Sequence, residues 1–139
     1  VKLQKNTLYG LYAILEIAAR PQRAVSSAEI AHRYRISPHH LAKVLRTLGR
    51  ARLVESARGQ GGGYRFSGNA KRLTLMDVIQ LFEDVSAPAR VLGGAGARTA
   101  IERGLGTVLA EIDEIAKSTF ASVTLASMLK LLERQRQAG

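Results

Sequence analysis

The sequence predicts a mainly α-helical fold with one small β-hairpin and a long helix in its second half. Three observations carry this. Apolar residues recur at helical offsets along most of the chain, one glycine-rich stretch separates two short strand-like runs, and a heptad stripe begins at Ile101.

Residues 8–20 read as the first helix, because Leu8, Leu11, Tyr12, Leu15 and Ala19 form one apolar stripe and Pro21 stops it. Ser26 followed by Glu29 has capping-box spacing, which starts a short helix over 27–34 with Ile30 and Tyr34 inward. Ser37 caps the next, Pro38 suits its first position, and Leu41, Val44, Leu45 and Leu48 make its buried face. Leu53 to Ala57 and Tyr64 to Ser67 then read as strands around Arg58-Gly59-Gln60-Gly61-Gly62-Gly63, a hairpin with a glycine turn. Thr74 with Asp77 opens a further helix, whose Leu75, Val78, Ile79 and Phe82 face the core. Residues 86–98 have no clear period and read as a loop. Thr99 with Glu102 starts the long helix, although Gly104 and Gly106 weaken its first turns, and Thr124 opens a short last one.

Helix, tight turn, helix and then a hairpin is the order of a winged helix-turn-helix. The expected division is a DNA-binding domain over 1–85, a loop over 86–99, and a dimerisation helix with a C-terminal helix over 100–139. Ile101, Leu105, Val108, Ile112 and Ile115 are spaced 4, 3, 4, 3, a heptad seam that suits a second copy of the chain.

Charge points the same way. The net charge is +10, and residues 1–85 carry 14 Lys and Arg against 6 Asp and Glu, whereas residues 86–139 carry 7 against 5. The polyanion-facing part is therefore the first. The second helix of the motif exposes Ser37, His39, His40, Lys43, Arg46 and Thr47, which an ordinary solvated face would also do. With the wing beside them they read as groove contacts. Arg58 and Arg65 flank the glycine turn and suit a phosphate or a narrow minor groove, while Gly61, Gly62 and Gly63 allow close backbone approach or φ > 0. A nucleotide-binding loop fails on detail: no Lys-Ser/Thr follows, and Tyr64 stands where a fingerprint starting at Gly59 needs its last glycine.

The run Lys2-Leu3 with Tyr9 and Tyr12-Ala13, the helix Ala28-Glu29-Ile30-Ala31, the Ile36-Ser37 turn, Arg58 to Arg65, and Leu73-Thr74-Leu75-Met76-Asp77-Val78 together resemble the Rrf2 family of bacterial winged helix-turn-helix regulators, the IscR-, NsrR- and CymR-like proteins. The resemblance spans nearly the whole chain. It implies a homodimer crossing over through the long helix, a palindromic operator on double-stranded DNA, and repressor or activator activity, with repression the expected sign. It also implies base or phosphate contacts at Ser37, His39, His40 and Lys43, and minor-groove contact by Arg58 with the wing glycines. The full expected contact set is Lys2, Ser37, His39, His40, Lys43, Arg46, Arg58, Gly61, Gly62, Gly63 and Arg65.

One departure from that family concerns a cofactor. Members that sense through an iron–sulfur cluster place three cysteines before the dimer helix, and this chain has no cysteine. Within 87–103, Ala100 stands at the last cysteine position and Arg103 where a histidine can fall; no histidine lies beyond His40. No cofactor and no metal site is expected, since such clusters rest on thiolates. A cluster would belong only to a native form whose cysteines had been replaced, for example at Ala95, Ala97 and Ala100. A plain loop is the preferred reading, with a small molecule or a protein as effector.

No catalytic residue is expected. His32, His39 and His40 lie without a nucleophile or carboxylate pair in a recognisable arrangement, and the adjacent His39 and His40 splay about 100° apart on a helix. No run is long enough to cross a bilayer and no signal-peptide pattern is visible, so a cytoplasmic protein without membrane contact is expected. The alternative function is a protein-interaction module on the same scaffold, which duplex-binding measurements distinguish.

Overall fold

The computed structural model describes residues 3–85 and 98–138 in the order α1 (Lys5–Ala18), α2 (Ser27–Tyr34), α3 (Pro38–Arg50), β1 (Val54–Ala57), β2 (Gly63–Phe66), α4 (Leu75–Ile79), α5 (Ala100–Ser122) and α6 (Leu125–Ala138). The mainly helical fold with one hairpin is the one expected. Lys2 and nearly all of the expected loop at 86–99 lie outside the described residues.

Local chemistry explains most helix starts. Ser26 and Thr74 both form full capping boxes, with Glu29 and Asp77 returning the bond to the cap backbone. Ser37 Oγ accepts from the His40 N–H at 3.1 Å, and Pro38 occupies the first turn. Thr99 Oγ1 accepts from the Glu102 N–H at 3.1 Å, but the Glu102 carboxylate takes the threonine hydroxyl rather than the backbone N–H. That is half of the expected box.

Two expectations about α1 need correction. It begins at Lys5 rather than residue 8 and ends at Ala18 rather than 20, and its buried face is Thr7, Gly10, Leu11, Ala13, Ile14, Ile17 and Ala18. Of the expected stripe, Leu11 is buried, Leu8, Leu15 and Ala19 are partly so, and Tyr12 is exposed. The helix is apolar nearly all round, so periodicity alone did not phase it. What phases it is close approach: a Cβ on Gly10 would lie 2.4 Å from the Phe82 ring. Its start is set from a distance, because Gln4 makes no side-chain cap and the Glu83 carboxylate instead accepts the Gln4 N–H at 3.0 Å and the Thr7 hydroxyl.

Ile14, Ile17, Ile30, Leu41, Leu45, Leu48, Ile79 and Leu125 are fully buried in one core drawn from α1, α2, α3, α4 and α6. On its flank, Glu16 of α1 binds Arg20, Arg33 and the Tyr34 hydroxyl, and Tyr12 stacks on Tyr34 with centroids 4.7 Å apart, fastening α1 to α2. Burial pushes the Glu16 carboxyl up, but the Tyr34 hydrogen bond and the two guanidiniums outweigh it and hold it below the usual range. Burial and the same Glu16 bond push Tyr34 up to about 12.

The last helix is longer than expected, 14 residues, and returns to the core. At the α5–α6 junction Leu75 N–H donates to Val123 O at 2.9 Å, Leu125 N–H to Leu73 O at 2.8 Å, and Ala126 N–H to Ala70 O at 2.9 Å.

Candidate nucleic-acid interface

Between α2 and α3 the turn consists of three residues with distinct tasks. Arg35 takes a left-handed conformation, φ 55° and ψ 47°, Ile36 is buried, and Ser37 caps α3. Past this turn Ser37, Pro38 and His39, at the start of α3, are exposed. From Pro38 to Arg50 the helix contains no acidic residue, and His39, Lys43, Arg46 and Arg50 are exposed on it. Its opposite face, Leu41, Val44, Leu45 and Leu48, is buried as the spacing predicts.

The hairpin pairs antiparallel with Val54 opposite Phe66, Glu55 opposite Arg65, Ser56 opposite Tyr64 and Ala57 opposite Gly63. Gly59 and Gly61 have φ of 98° and 75°, and Gly62 N–H donates to Gly59 O at 2.9 Å, which closes the tip beside the exposed Arg58. Gly63 does something else. Val25 pairs with Tyr64 through two backbone bonds of 2.8 and 2.9 Å, and a Cβ on Gly63 would lie 2.4 Å from Val25 O. That missing side chain makes room for a third backbone at the root of the wing, which no local motif announces.

Arg65 and Arg58 occupy different places. Alternation along β2 puts Arg65 on the hairpin face away from Tyr64 and Phe66, beside Glu55, where its guanidinium donates to Pro21 O at 3.4 Å. On the other face a groove of about 520 Å³ runs between α3 and the hairpin, with Arg46, Arg50, Ser56 and Tyr64 among its walls. Arg50 is not in the contact set expected from sequence, although it follows Arg46 by four residues and Lys43 by seven and so shares their face.

A second groove of about 350 Å³ opens at the start of α3, lined by Ser37, His39, His40, Lys43 and Thr47 with Asn6 of α1 and Phe82. His40 is half-buried here. Its ring meets Tyr9 edge-on, with centroids 5.2 Å apart at 78°, and its Nε2 bonds to Asn6 Oδ1. Ser37 is exposed, but its hydroxyl already serves the helix cap. The structure thus gathers Ser37, His39, His40 and Lys43 around one groove, sets Arg46 on the other, and carries Arg58 at the hairpin tip. Arg65 stands apart from both.

On α5 the apolar seam is open to solvent. Ile101 is 75% exposed, and Leu105, Val108, Ile112 and Ile115 are each more than half exposed. Among the described residues no cluster of three or more His, Cys, Asp or Glu has metal-binding geometry, and no helix is long and apolar enough to cross a membrane.

Comparison with known proteins agrees with this fold. The Rrf2 family model, described as an iron-dependent transcriptional regulator, matches residues 3–131. BadM of Rhodopseudomonas palustris, named an HTH-type transcriptional regulator, is 52% identical over 137 residues, 99% of this chain and 86% of the relative. Among solved structures, CymR of B. subtilis, the global cysteine regulator, has a TM-score of 0.75 at 27% identity over 94% of this chain and 98% of that one. The T. potens IscR has a TM-score of 0.73 at 26% identity, covering 97% and 90%.

Proposed function

The chain belongs to the Rrf2 family of DNA-binding transcription regulators, and from that membership and the surfaces just described we propose that it works as a homodimeric, sequence-specific repressor in the cytoplasm. Its activity is DNA-binding regulation, with no enzymatic step. The observation that carries the finer reading is the acid-free, cation-bearing face of α3 next to a hairpin whose tip presents Arg58. Such a face fits the major groove, and the tip fits the adjoining minor groove or its phosphates. A pair of such faces, joined through the α5 seam, asks for a palindromic site.

The contact set proposed is the one expected from sequence, Lys2, Ser37, His39, His40, Lys43, Arg46, Arg58, Gly61, Gly62, Gly63 and Arg65, with Arg50 added. Division into a DNA-binding part, 1–85, a sensor loop, 86–99, and a dimerisation part, 100–139, is likewise proposed. The experiment is fluorescence anisotropy with a selected duplex and a scrambled one at two salt concentrations. Arg46→Ala and Arg50→Ala should weaken both duplexes alike and lower the salt slope by about 1 for each phosphate no longer neutralised. Equal affinity of the unaltered protein for selected and scrambled duplexes would remove specific regulation and leave the protein-interaction reading.

An iron–sulfur cluster does not fit this chain. It supplies no thiolate, and residues 86–97 contain no Cys, His, Asp or Glu in sequence. The effector proposed is therefore a small molecule or a protein. Incubation with iron and sulfide should leave DNA affinity unchanged, and stoichiometric uptake of both would refute this.

A further inference from the structure

The groove at the start of α3 contains one polar group that does not come from the helix-turn-helix. Asn6 is the second residue of α1, exposed, and 34 residues away in sequence from the His40 ring it bonds. An amide oxygen can only accept, so His40 Nε2 carries the proton and donates to Asn6 Oδ1. The ring packs edge-on against Tyr9, and the backbone N–H of His40 is held by the Ser37 cap. Asn6 is thereby fixed at one oxygen, while its Nδ2 donates to nothing among the described residues and Oδ1 keeps a second lone pair. A donor and an acceptor side by side, facing a groove shared with Lys43, His39 and Thr47, match the N7 and N6 edge of an adenine in the major groove.

The geometry points to Asn6 and His40 as one DNA-reading unit: the Asn6 amide, delivered from α1, contacts an A·T base-pair edge beside α3, and His40 is the positioning residue that aims it. This rests on the regulator reading above and changes the part assigned to His40 within it. The imidazole is committed to Asn6 and Tyr9, so its contribution to sequence preference passes through the amide rather than through a base contact of its own. Positioning of this kind is worth having because a free asparagine loses side-chain freedom on binding, and one already held loses less.

A duplex enriched by the unaltered protein from a random pool, and a scrambled version of it, supply the test by fluorescence anisotropy at one salt concentration. Asn6→Ala and His40→Ala should each weaken the enriched duplex about tenfold and change the scrambled one by less than about twofold. The double variant should bind no more weakly than Asn6→Ala alone, since the two residues act through one contact. His40→Gln, whose amide N–H can still reach Oδ1, should recover most of the loss. A panel of single base-pair changes should show the same position losing its preference in Asn6→Ala and His40→Ala, which a merely structural role for His40 would not produce. Losses that multiply in the double variant, or an Asn6→Ala protein with unaltered affinity, overturn the proposal. Asn6 is exposed, so that variant decides the matter even where His40→Ala lowers the thermal midpoint. Failure of the unaltered protein to enrich any duplex defeats the regulator reading itself, whereas an enriched duplex held equally by Asn6→Ala defeats this inference alone.

Discussion

At Gly63 the absence of a side chain is a packing requirement, because the site of a Cβ is occupied by the Val25 carbonyl and both partners are backbone. Gly63→Ala is expected to cost roughly 1–3 kcal/mol, from the strained φ and the broken Val25 pairing, and urea unfolding measures it. Glu16 and Tyr34 give a pH signature. The Glu16 carboxyl is held below its ordinary value, so its contribution is present above about pH 4.5 and is lost as pH falls through the lowered value. Tyr34 is raised from 10.0 to about 12, so the neutral phenol stabilises the fold below pH 10, and that contribution drains away as pH climbs from 10 towards 12. Tyr34→Phe should flatten the alkaline limb of a plot of urea midpoint against pH, and an unchanged limb would show that the phenol is not its source. The residues with such roles were unevenly legible. The exposed positions of Lys43, Arg46 and Arg58 could be read from motif and charge, whereas the hydrogen bonds of Asn6 and Glu83 span 34 and 76 or more residues of chain and leave no local mark.

Whole elements were legible where a helix start is written in one short stretch. Ser26 with Glu29, Ser37 with Pro38, and Thr74 with Asp77 each announce a first turn because donor and acceptor are near neighbours in the chain. Helix α1 has no such mark, and its register was misread for the same reason: its cap is Glu83, and its buried face is chosen by Phe82 against Gly10. The single-residue bridge of Val25 to Tyr64 was invisible too, since one paired residue has no period. At this scale the Ser37 cap is testable. Ser37→Ala should lower stability by about 1 kcal/mol and loosen the first turn of α3, read as faster amide exchange at His40. The α5 seam was legible as a heptad, and its side chains are exposed, which suits the subunit contact proposed for them. Ile112→Asp places a charge in the middle of that seam and is expected to yield monomers by sedimentation, with weaker binding to a two-half-site duplex. A variant that stays dimeric would send the subunit interface elsewhere.

For the whole molecule, the apolar face that α5 leaves open to water means that the proposed dimer would tie folding to association. The unfolding midpoint should therefore rise with protein concentration, as mass action demands when the dimer is the stable form; a midpoint independent of concentration would mean that one protomer is sufficient. The division expected from sequence sets DNA binding first, over 1–85, and dimerisation last, over 100–139. The backbone bonds at Leu73, Leu75 and Ala70 to the α5–α6 junction, with Leu125 at 0% exposure, cross that division. Leu125→Ala should cost about 2–5 kcal/mol although it lies far along the chain from the hairpin and α4, because it empties space in the core under α1. There is a consequence for how such proteins can be recombined. A chimaera that keeps one relative's reading head and takes another's arm after residue 85 inherits a foreign residue in its own core, so a swap succeeds only when Leu125 and its neighbours in α6 travel with the head. The transferable cassette is two stretches of chain that meet in space, and a single cut in the gene does not deliver it.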